Sequence, residues 1–304
     1  MSFNAFIWED GCIFFIKKFL FFLFFLYICK VGDIYYKKNI MDYKVCWIVL
    51  CKNEEEIIPW CIQYWSRIAD KVIVYDNHST DSSVELLSKY DWIEIRYFET
   101  EGQNDLYQKQ LKEQAYLEYK NKYDIIIISD MDEVFYFNDF KALEGQMIDG
   151  GYNILATPIC SLCEDFKPTP EEGKLLHQQC HKFYKQRMNH MQGFEDISKL
   201  SIFNTKITDK ISMSVGQHYV QTFPNMRIML SNDGFNLHLD KGFGLEYKWE
   251  VRQRMYKNLS DLNKRGGLCI EYGDSYEKLQ SEYKENQEKS FDINDFYCND
   301  KPKQ

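Results

Sequence analysis

From Tyr43 onward, short and nearly continuous apolar runs alternate with longer amphipathic stretches, the pattern of βαβ units on a largely parallel sheet. Tyr43 to Cys51 (YKVCWIVLC), Lys71 to Tyr75 (KVIVY) and Asp124 to Ser129 (DIIIIS) are apolar on consecutive positions, as strands covered on both faces must be. Trp92 to Phe98 reads as a fourth strand. Helices are predicted over Glu54 to Arg67, over Ser82 to Tyr90 with Thr80 or Asp81 as N-cap, and over Asp105 to Tyr123. Beyond Tyr152 the order loosens. One strand is predicted from Tyr152 to Pro158, then a polar Pro/Glu-rich stretch, scattered short strands to His238, and helices over Leu245 to Asn263 and Ser275 to Lys289.

In open α/β sheets, ligands bind outside the carboxyl ends of the parallel strands. The residues just after each strand are therefore the informative ones. They are Lys52-Asn53-Glu54-Glu55-Glu56, Asp76-Asn77-His78-Ser79-Thr80-Asp81 and Asp130-Met131-Asp132-Glu133. All three sets are acidic or amide-bearing, so Asn53, Glu54, Asp76, Asn77 and Asp130 become candidate ligand-binding residues around one crevice. Carboxylates gathered on one edge repel one another unless a cation joins them, and hard oxygen ligands favour Mg²⁺ or Mn²⁺. A metal-bound diphosphate is the natural occupant. Asp130 and Asp132 are two apart, so on extended backbone their carboxylates share a face. One can hold the metal and the other a metal-bound water or a ribose hydroxyl, and the metal would neutralise a departing phosphate. A lone D-x-D is most often a solvated loop, and Asp76 to Asp81 alone could be a turn and helix cap. Their joint placement after successive strands is what favours chemistry.

The 304 residues suffice for a sizeable core, and 45% hydrophobic residues with 22 Tyr, 22 Phe and 6 Trp exclude a disordered or low-complexity chain. A net charge of −9 repels polyphosphate backbones, so nucleic acid is not an expected partner. Cys46, Cys51 and Cys61 sit in apolar runs, where thiols pack as small hydrophobes; reduced cysteines and a cytoplasmic location are expected. Phe19 to Cys29 (FLFFLFFLYIC) is apolar throughout but short of the roughly 20 residues that span a bilayer. Two readings stand: a membrane-surface anchor giving peripheral association at the inner face, or a start at Met41, after which the globular pattern begins at once.

Cys51-Lys52-Asn53-Glu54-Glu55 through Trp60 and Tyr64, Val74 to Asp81, and Ile128 to Val134 resemble the three signatures of family 2 glycosyltransferases with the GT-A fold, closest to bacterial members with an iDxDEf segment. The likeness extends more weakly through Gly216-Gln217-His218, Leu237-His238-Leu239 and the stretch from Glu246 to Asn263, covering roughly residues 43 to 273. It implies a GT-A (Rossmann-like) α/β fold: a mostly parallel central sheet with helices on both faces and a smaller irregular or helical C-terminal part. It also implies a nucleotide-diphosphate sugar donor, a glycan or lipid-linked glycan acceptor of a surface polysaccharide or lipooligosaccharide, Mn²⁺ or Mg²⁺, and inversion.

Carried over by position, Asp76 resembles the carboxylate that recognises the base or ribose. Asp130 and Asp132 match the D-x-D pair, with Asp132 the direct metal ligand and Glu133 beside it. His238 matches a histidine that completes the metal shell, and His218 is placed near the acceptor. The general base stays open among Glu133, Asp196 and Asp240. The expected organisation is an apolar extension over 1–40, a nucleotide-sugar-binding half over 41–150, an acceptor-side half of the same domain over 151–273, and a C-terminal helix and tail over 274–304.

Three other readings compete. Cys160-x2-Cys163 followed by His177-x3-His181 has zinc-finger spacing, but Pro168, Pro170 and Gly173 interrupt the spacer. A sugar-nucleotidyltransferase would share the crevice and metal, yet needs a Gly-rich basic loop where Lys52 to Glu56 stands. A non-catalytic membrane-associated nucleotide-sugar-binding protein would explain the apolar start and leave the acidic crevice without a role.

Overall fold

The computed structural model describes residues 42–171, 173–185, 199–217, 220 and 225–298. The apolar runs become β1 (Val45–Cys51), β2 (Lys71–Asp76), β3 (Ile93–Tyr97) and β4 (Ile125–Asp130). All pair in parallel, in the order β4-β1-β2-β3. Alternation along each strand assigns its side chains to two cores. Val45, Trp47 and Val49 join the cluster that includes Ile58 and Tyr64 of α1 (Ile58–Trp65) and Leu87 of α2 (Ser83–Leu87). Cys46, Ile48 and Leu50 join Ala115, Tyr116 and Tyr119 of α3 (Asp105–Tyr119) on the other side. Burial of each such aliphatic side chain contributes about 1.5–3 kcal/mol, and the two central strands β1 and β4 carry no charged position before their carboxyl ends.

α1 begins four residues later than predicted. The backbone N–H groups of Glu54 and Glu55 are taken by Ser83 Oγ (2.8 Å) and Asp81 Oδ2 (3.1 Å), and Pro59 occupies the first turn.

β5 (Glu133–Phe137) follows the Asp130-Met131-Asp132 turn directly and leads to α4 (Phe140–Asp149), capped by Asp139, whose Oδ1 accepts from Ala142 N at 3.0 Å. Neither element was anticipated. The strand expected over Tyr152 to Pro158 is shorter, β6 (Ile154–Ala156) of the large sheet, and beyond Pro158 the chain enters β7 (Ile159–Leu162) of a second sheet. The short strands beyond are β8 (Phe183–Lys185), β9 (Ile202–Asn204), β10 (Ile228–Leu230) and β11 (Gly234–His238). β9 inserts antiparallel between β4 and β6, completing a seven-stranded, mostly parallel sheet, so segments before and after residue 150 share one framework. The second sheet runs β5-β11-β7-β8, and its β5–β11 register sets His238 opposite Glu133.

The predicted helix over Leu245 to Asn263 is broken into α5 (Leu245–Lys257) and α6 (Asp261–Gly266), followed by α7 (Tyr276–Glu288) and α8 (Ile293–Cys298). Ser260 caps α6, its Oγ accepting from Asn263 N at 3.2 Å. The loop after β3 crosses the break: Gln103 N donates to Asn258 O at 2.8 Å, and Ser260 N donates to Gln103 O at 3.2 Å. Gly102 makes the crossing possible, with φ of +64° and no side chain where a Cβ would lie 2.3 Å from Asn258 O. No helix among the described residues is long and apolar enough to cross a membrane.

Candidate active site

A crevice of about 980 Å³ opens at the carboxyl ends of β1, β2 and β4 and extends to α5 and α7. One wall is stitched together by hydrogen bonds among backbone and side-chain groups of the first two strand ends. Lys52 Nζ donates to the carbonyls of Asn77 (2.5 Å) and His78 (2.8 Å). Asn53, at φ 55°, donates its N–H to Ser79 Oγ (2.8 Å) and accepts from Thr80 N through Oδ1 (2.7 Å). Asp76 is fully buried: Oδ2 accepts from Ser79 N (2.8 Å) and Oδ1 from Ser79 Oγ (2.5 Å). Its carboxylate builds the turn and does not line the crevice. Asn53, Glu54 and Asn77 do line it.

The floor is held by charge. Asp130 Oδ1 lies 2.6 Å from Lys112 Nζ, and Oδ2 lies 2.9 Å from Lys199 Nζ. Lys199 also reaches Glu133 Oε1 at 3.0 Å, and Glu133 is completely buried. Lys241 Nζ lies 2.9 and 3.1 Å from the two oxygens of Glu54 and 3.5 Å from Asp132 Oδ2. His238 Nε2 is 3.6 Å from the same Asp132 oxygen, and Lys248 Nζ is 2.6 Å from Asp240 Oδ2.

Burial pushes the Asp130 carboxyl up, but the Lys112 and Lys199 ammoniums override it and hold the group well below the usual carboxylate range. Asp132 is lowered likewise, burial being overcome by Lys241 and then His238. Burial lifts Glu54 above its ordinary value despite Lys241. For His238, burial favours the neutral ring, yet Asp132 wins and raises it.

The turn carrying the two aspartates is braced from beneath. Trp47 Nε1 donates to Ser129 Oγ (2.9 Å), which in turn lies 3.0 and 3.1 Å from the carbonyls of Asp130 and Glu133. Gln217, at φ 58° and buried, closes the far side of the floor: Oε1 accepts from Lys112 Nζ (3.0 Å), and Nε2 donates to Ile128 O (2.8 Å).

The expectation that a cation offsets these carboxylates is met within the chain itself. Lysines from three distant segments do so. A divalent ion still fits at one point. Asp132 and His238 face each other at an ion-pair separation and offer an oxygen and an imidazole nitrogen, whereas both Asp130 oxygens are taken by ammoniums. No group of three or more His, Cys, Asp or Glu is gathered for a metal among the described residues. The remaining ligands would have to be water and donor phosphate oxygens, the habit of Mg²⁺ in phosphate sites.

The zinc-finger spacing yields no such group either. His177 Nδ1 is 2.9 Å from Tyr64 OH among aromatic rings, His181 Nδ1 is 2.6 Å from Asp292 Oδ2, and Cys163 Sγ donates weakly to Lys182 O. Asp196, His218 and the stretch over 1–40 lie outside the described residues.

The family model for glycosyl transferase family 2 matches residues 46–212, from β1 through the D-x-D turn and β9. The chain belongs to glycosyltransferase family 2. This glycosyltransferase is similar to the solved structure of S. aureus TarS 1-349, at 14% identity and a TM-score of 0.43, over 73% of this chain and 68% of that one. A structure of the same protein in complex with UDP-GlcNAc aligns at 14% identity and a TM-score of 0.41, over 73% and 69%. Glucosyl-3-phosphoglycerate synthase from Mycobacterium tuberculosis, in complex with Mn²⁺, UDP and glucosyl-3-phosphoglycerate, aligns at 17% identity and a TM-score of 0.26, over 39% and 44%. No curated protein matches.

Of the residues singled out from the glycosyltransferase sequence, the structure brings Asn53, Glu54, Asn77, Asp130, Asp132, His238 and Asp240 to one crevice. Glu133 lies beneath Lys199. The residues that sequence reasoning missed are Lys112, Lys199, Lys241 and Lys248. They stand in three unrelated local settings, Leu111-Lys112, Lys199-Leu200 and the stretch from Lys241 to Lys248, and share no motif that would mark them as one set.

Proposed function

We propose that this glycosyltransferase moves a sugar from a nucleotide-diphosphate donor to a hydroxyl of a glycan or lipid-linked glycan, assisted by Mn²⁺ or Mg²⁺ and with inversion at the anomeric carbon. The observation that carries the reading is the convergence of Asn53, Asn77, Asp130, Asp132 and His238 at the carboxyl ends of three parallel strands. Asn53 and Asn77 offer amide groups to the nucleoside, and Asp130, fixed by two ammoniums, presents an oriented carboxylate edge to a ribose hydroxyl. Asp132 and His238 would hold the metal. When bound, the ion supplies positive charge against the leaving diphosphate.

For the base, Asp240 is favoured over Glu133. Asp240 lines the crevice beside Tyr184, whereas Glu133 has no exposed surface from which to reach an acceptor. A lipid-linked acceptor would bring the enzyme to the inner face of the membrane, where the apolar stretch 19–29 would help to retain it.

A thermal-shift panel of UDP-, GDP-, CDP- and dTDP-sugars with Mn²⁺ tests the donor class. One family of nucleotides should raise the melting temperature, and no shift with any of them would overturn the proposal. Asp240→Asn should then lower kcat with donor affinity retained; an unchanged kcat would remove Asp240 as the base.

A further inference from the structure

Lys241 occupies an unusual position in the crevice. Its side chain is 10% exposed, and it follows β11 in a turn where Asp240 (φ 45°) and Lys241 (φ 54°) are both left-handed. Left-handed backbone at residues other than glycine costs on the order of 1–3 kcal/mol each and persists only where the surroundings enforce it, most often at ligand sites. Here they do enforce it. Leu239 N donates to Asp132 O at 2.8 Å, Gly242 N donates to Leu239 O at 2.7 Å, and Gly242 is pressed so closely on Leu162 that a Cβ would lie 1.8 Å from its carbonyl oxygen. The strained turn delivers one ammonium to the junction between the stitched wall and the charged floor.

The partners of that ammonium are unequal. Glu54 accepts from it with both oxygens at hydrogen-bond distance, while Asp132 stands at 3.5 Å, beyond a good hydrogen bond. An ammonium has three donors. Glu54 therefore anchors Lys241, and the direction toward Asp132 carries attraction without a well-formed bond. Lys112 and Lys199 differ, because both are committed to Asp130 at 2.6 and 2.9 Å.

We propose that Lys241 is a ligand of the donor's diphosphate, keeping its anchor on Glu54 and exchanging the loose contact with Asp132 for a phosphate oxygen when the donor enters. The inference rests on the nucleotide-diphosphate reading above and adds a resident cation to it. Charge fixed in a desolvated crevice stabilises a departing anion without reorganisation, so Lys241 assists departure as well as binding. Glu54, which carries no chemistry of its own here, acts as the positioning partner.

Calorimetry on the full chain separates the possibilities. The nucleoside diphosphate that binds wild type most tightly among UDP, GDP, CDP and dTDP is titrated alongside its monophosphate, in Mn²⁺ and in EDTA, into wild type, Lys241→Met and Lys241→Arg. The double variant Lys241→Met/Glu54→Gln is included because the single change leaves the half-buried Glu54 without its counter-ion. Lys241→Met and the double variant should bind the diphosphate about tenfold or more weakly, with the monophosphate unchanged, and Lys241→Arg should recover most of the loss. Equal losses for both nucleotides, or no loss for the diphosphate, would overturn the assignment while leaving the donor reading in place. If wild type binds none of the four, the donor reading fails and takes this inference with it.

Discussion

The two strands flanking β1 both end in an aspartate at nearly the same level, Asp76 opposite Cys51 and Asp130 opposite Leu50. Their fates differ completely. Asp76 is enclosed by a turn whose serine supplies an N–H and a hydroxyl, so its carboxylate shapes backbone. Asp130 meets two ammoniums brought from α3 and from the segment before β9, so its carboxylate organises charge. The role of a strand-end aspartate is thus decided by what later parts of the chain bring to it, which no window of sequence around the residue contains.

The contrast can be broken in several places. The largest effect is expected at Asp132, in the same turn as Asp130: Asp132→Ala should reduce Mn²⁺-dependent nucleotide binding by on the order of a hundredfold or more, with the circular dichroism spectrum intact. Unchanged binding in calorimetry would refute its role. Next, Asp130→Ala removes the carboxylate facing Lys112 and one of the two facing Lys199, lysines of 6% and 11% side-chain exposure. Breaking a buried pair by removing one partner costs about 3–5 kcal/mol, measurable by urea unfolding. A loss near that of an ordinary surface change would mean that the ammoniums find other counter-ions and that the floor is not organised around this residue.

A pair of histidines sharpens the same point through pH. Burial among Tyr64, Tyr136 and Phe235 pushes the His177 ring down to about 4, so the fold holds it neutral. Because the unfolded value is near 6.5, this contribution is complete above that pH and is lost as pH falls toward 4, about 3 kcal/mol in all. Urea midpoints at pH 7 and 4.5 should differ less in His177→Gln than in wild type; parallel slopes would refute the assignment. His238 titrates in the opposite sense. Asp132 raises it against the effect of burial, so its contribution is full below about pH 6.5 and fades as pH rises through the elevated value. The smallest effect is expected at Asp76. Asp76→Ala should cost about 1–2 kcal/mol, as lost caps do, with donor affinity of the folded protein little changed; a large loss of affinity would mean that Asp76 also touches the nucleotide.

The parallel part of the large sheet, β1 to β4, was legible because Val45 to Cys51 and Ile125 to Ile128 are buried and say so in uninterrupted apolar runs, whereas the three-residue strands β6, β9 and β10 that extend it were not. The D-x-D turn and His238 were legible as motifs. The second sheet was not, because strands of three to five residues pair across long separations and carry no period of their own. α4 was passed over although Asp139 signals its start, since Gly145 and scattered polar positions blur its face. The break in the C-terminal helix was written locally, in the Ser260 cap. What enforces it, the Gly102 loop, was not. The lysines illustrate the deeper limit. Carboxylate repulsion is a sound argument for a neutralising cation, but it does not say whether that cation is an ion from solution or part of the chain.

Gly102 carries a consequence for synthesis. Its loop borders the crevice, yet the carbonyl and N–H that hold it belong to Asn258 and Ser260, half the chain later. On a ribosome the first four strands can pair long before those partners emerge. The pocket's rim therefore stays unfinished until the segment carrying Asn258 and Ser260 has been made, and products terminated before it should fold in part while remaining unable to retain a nucleotide.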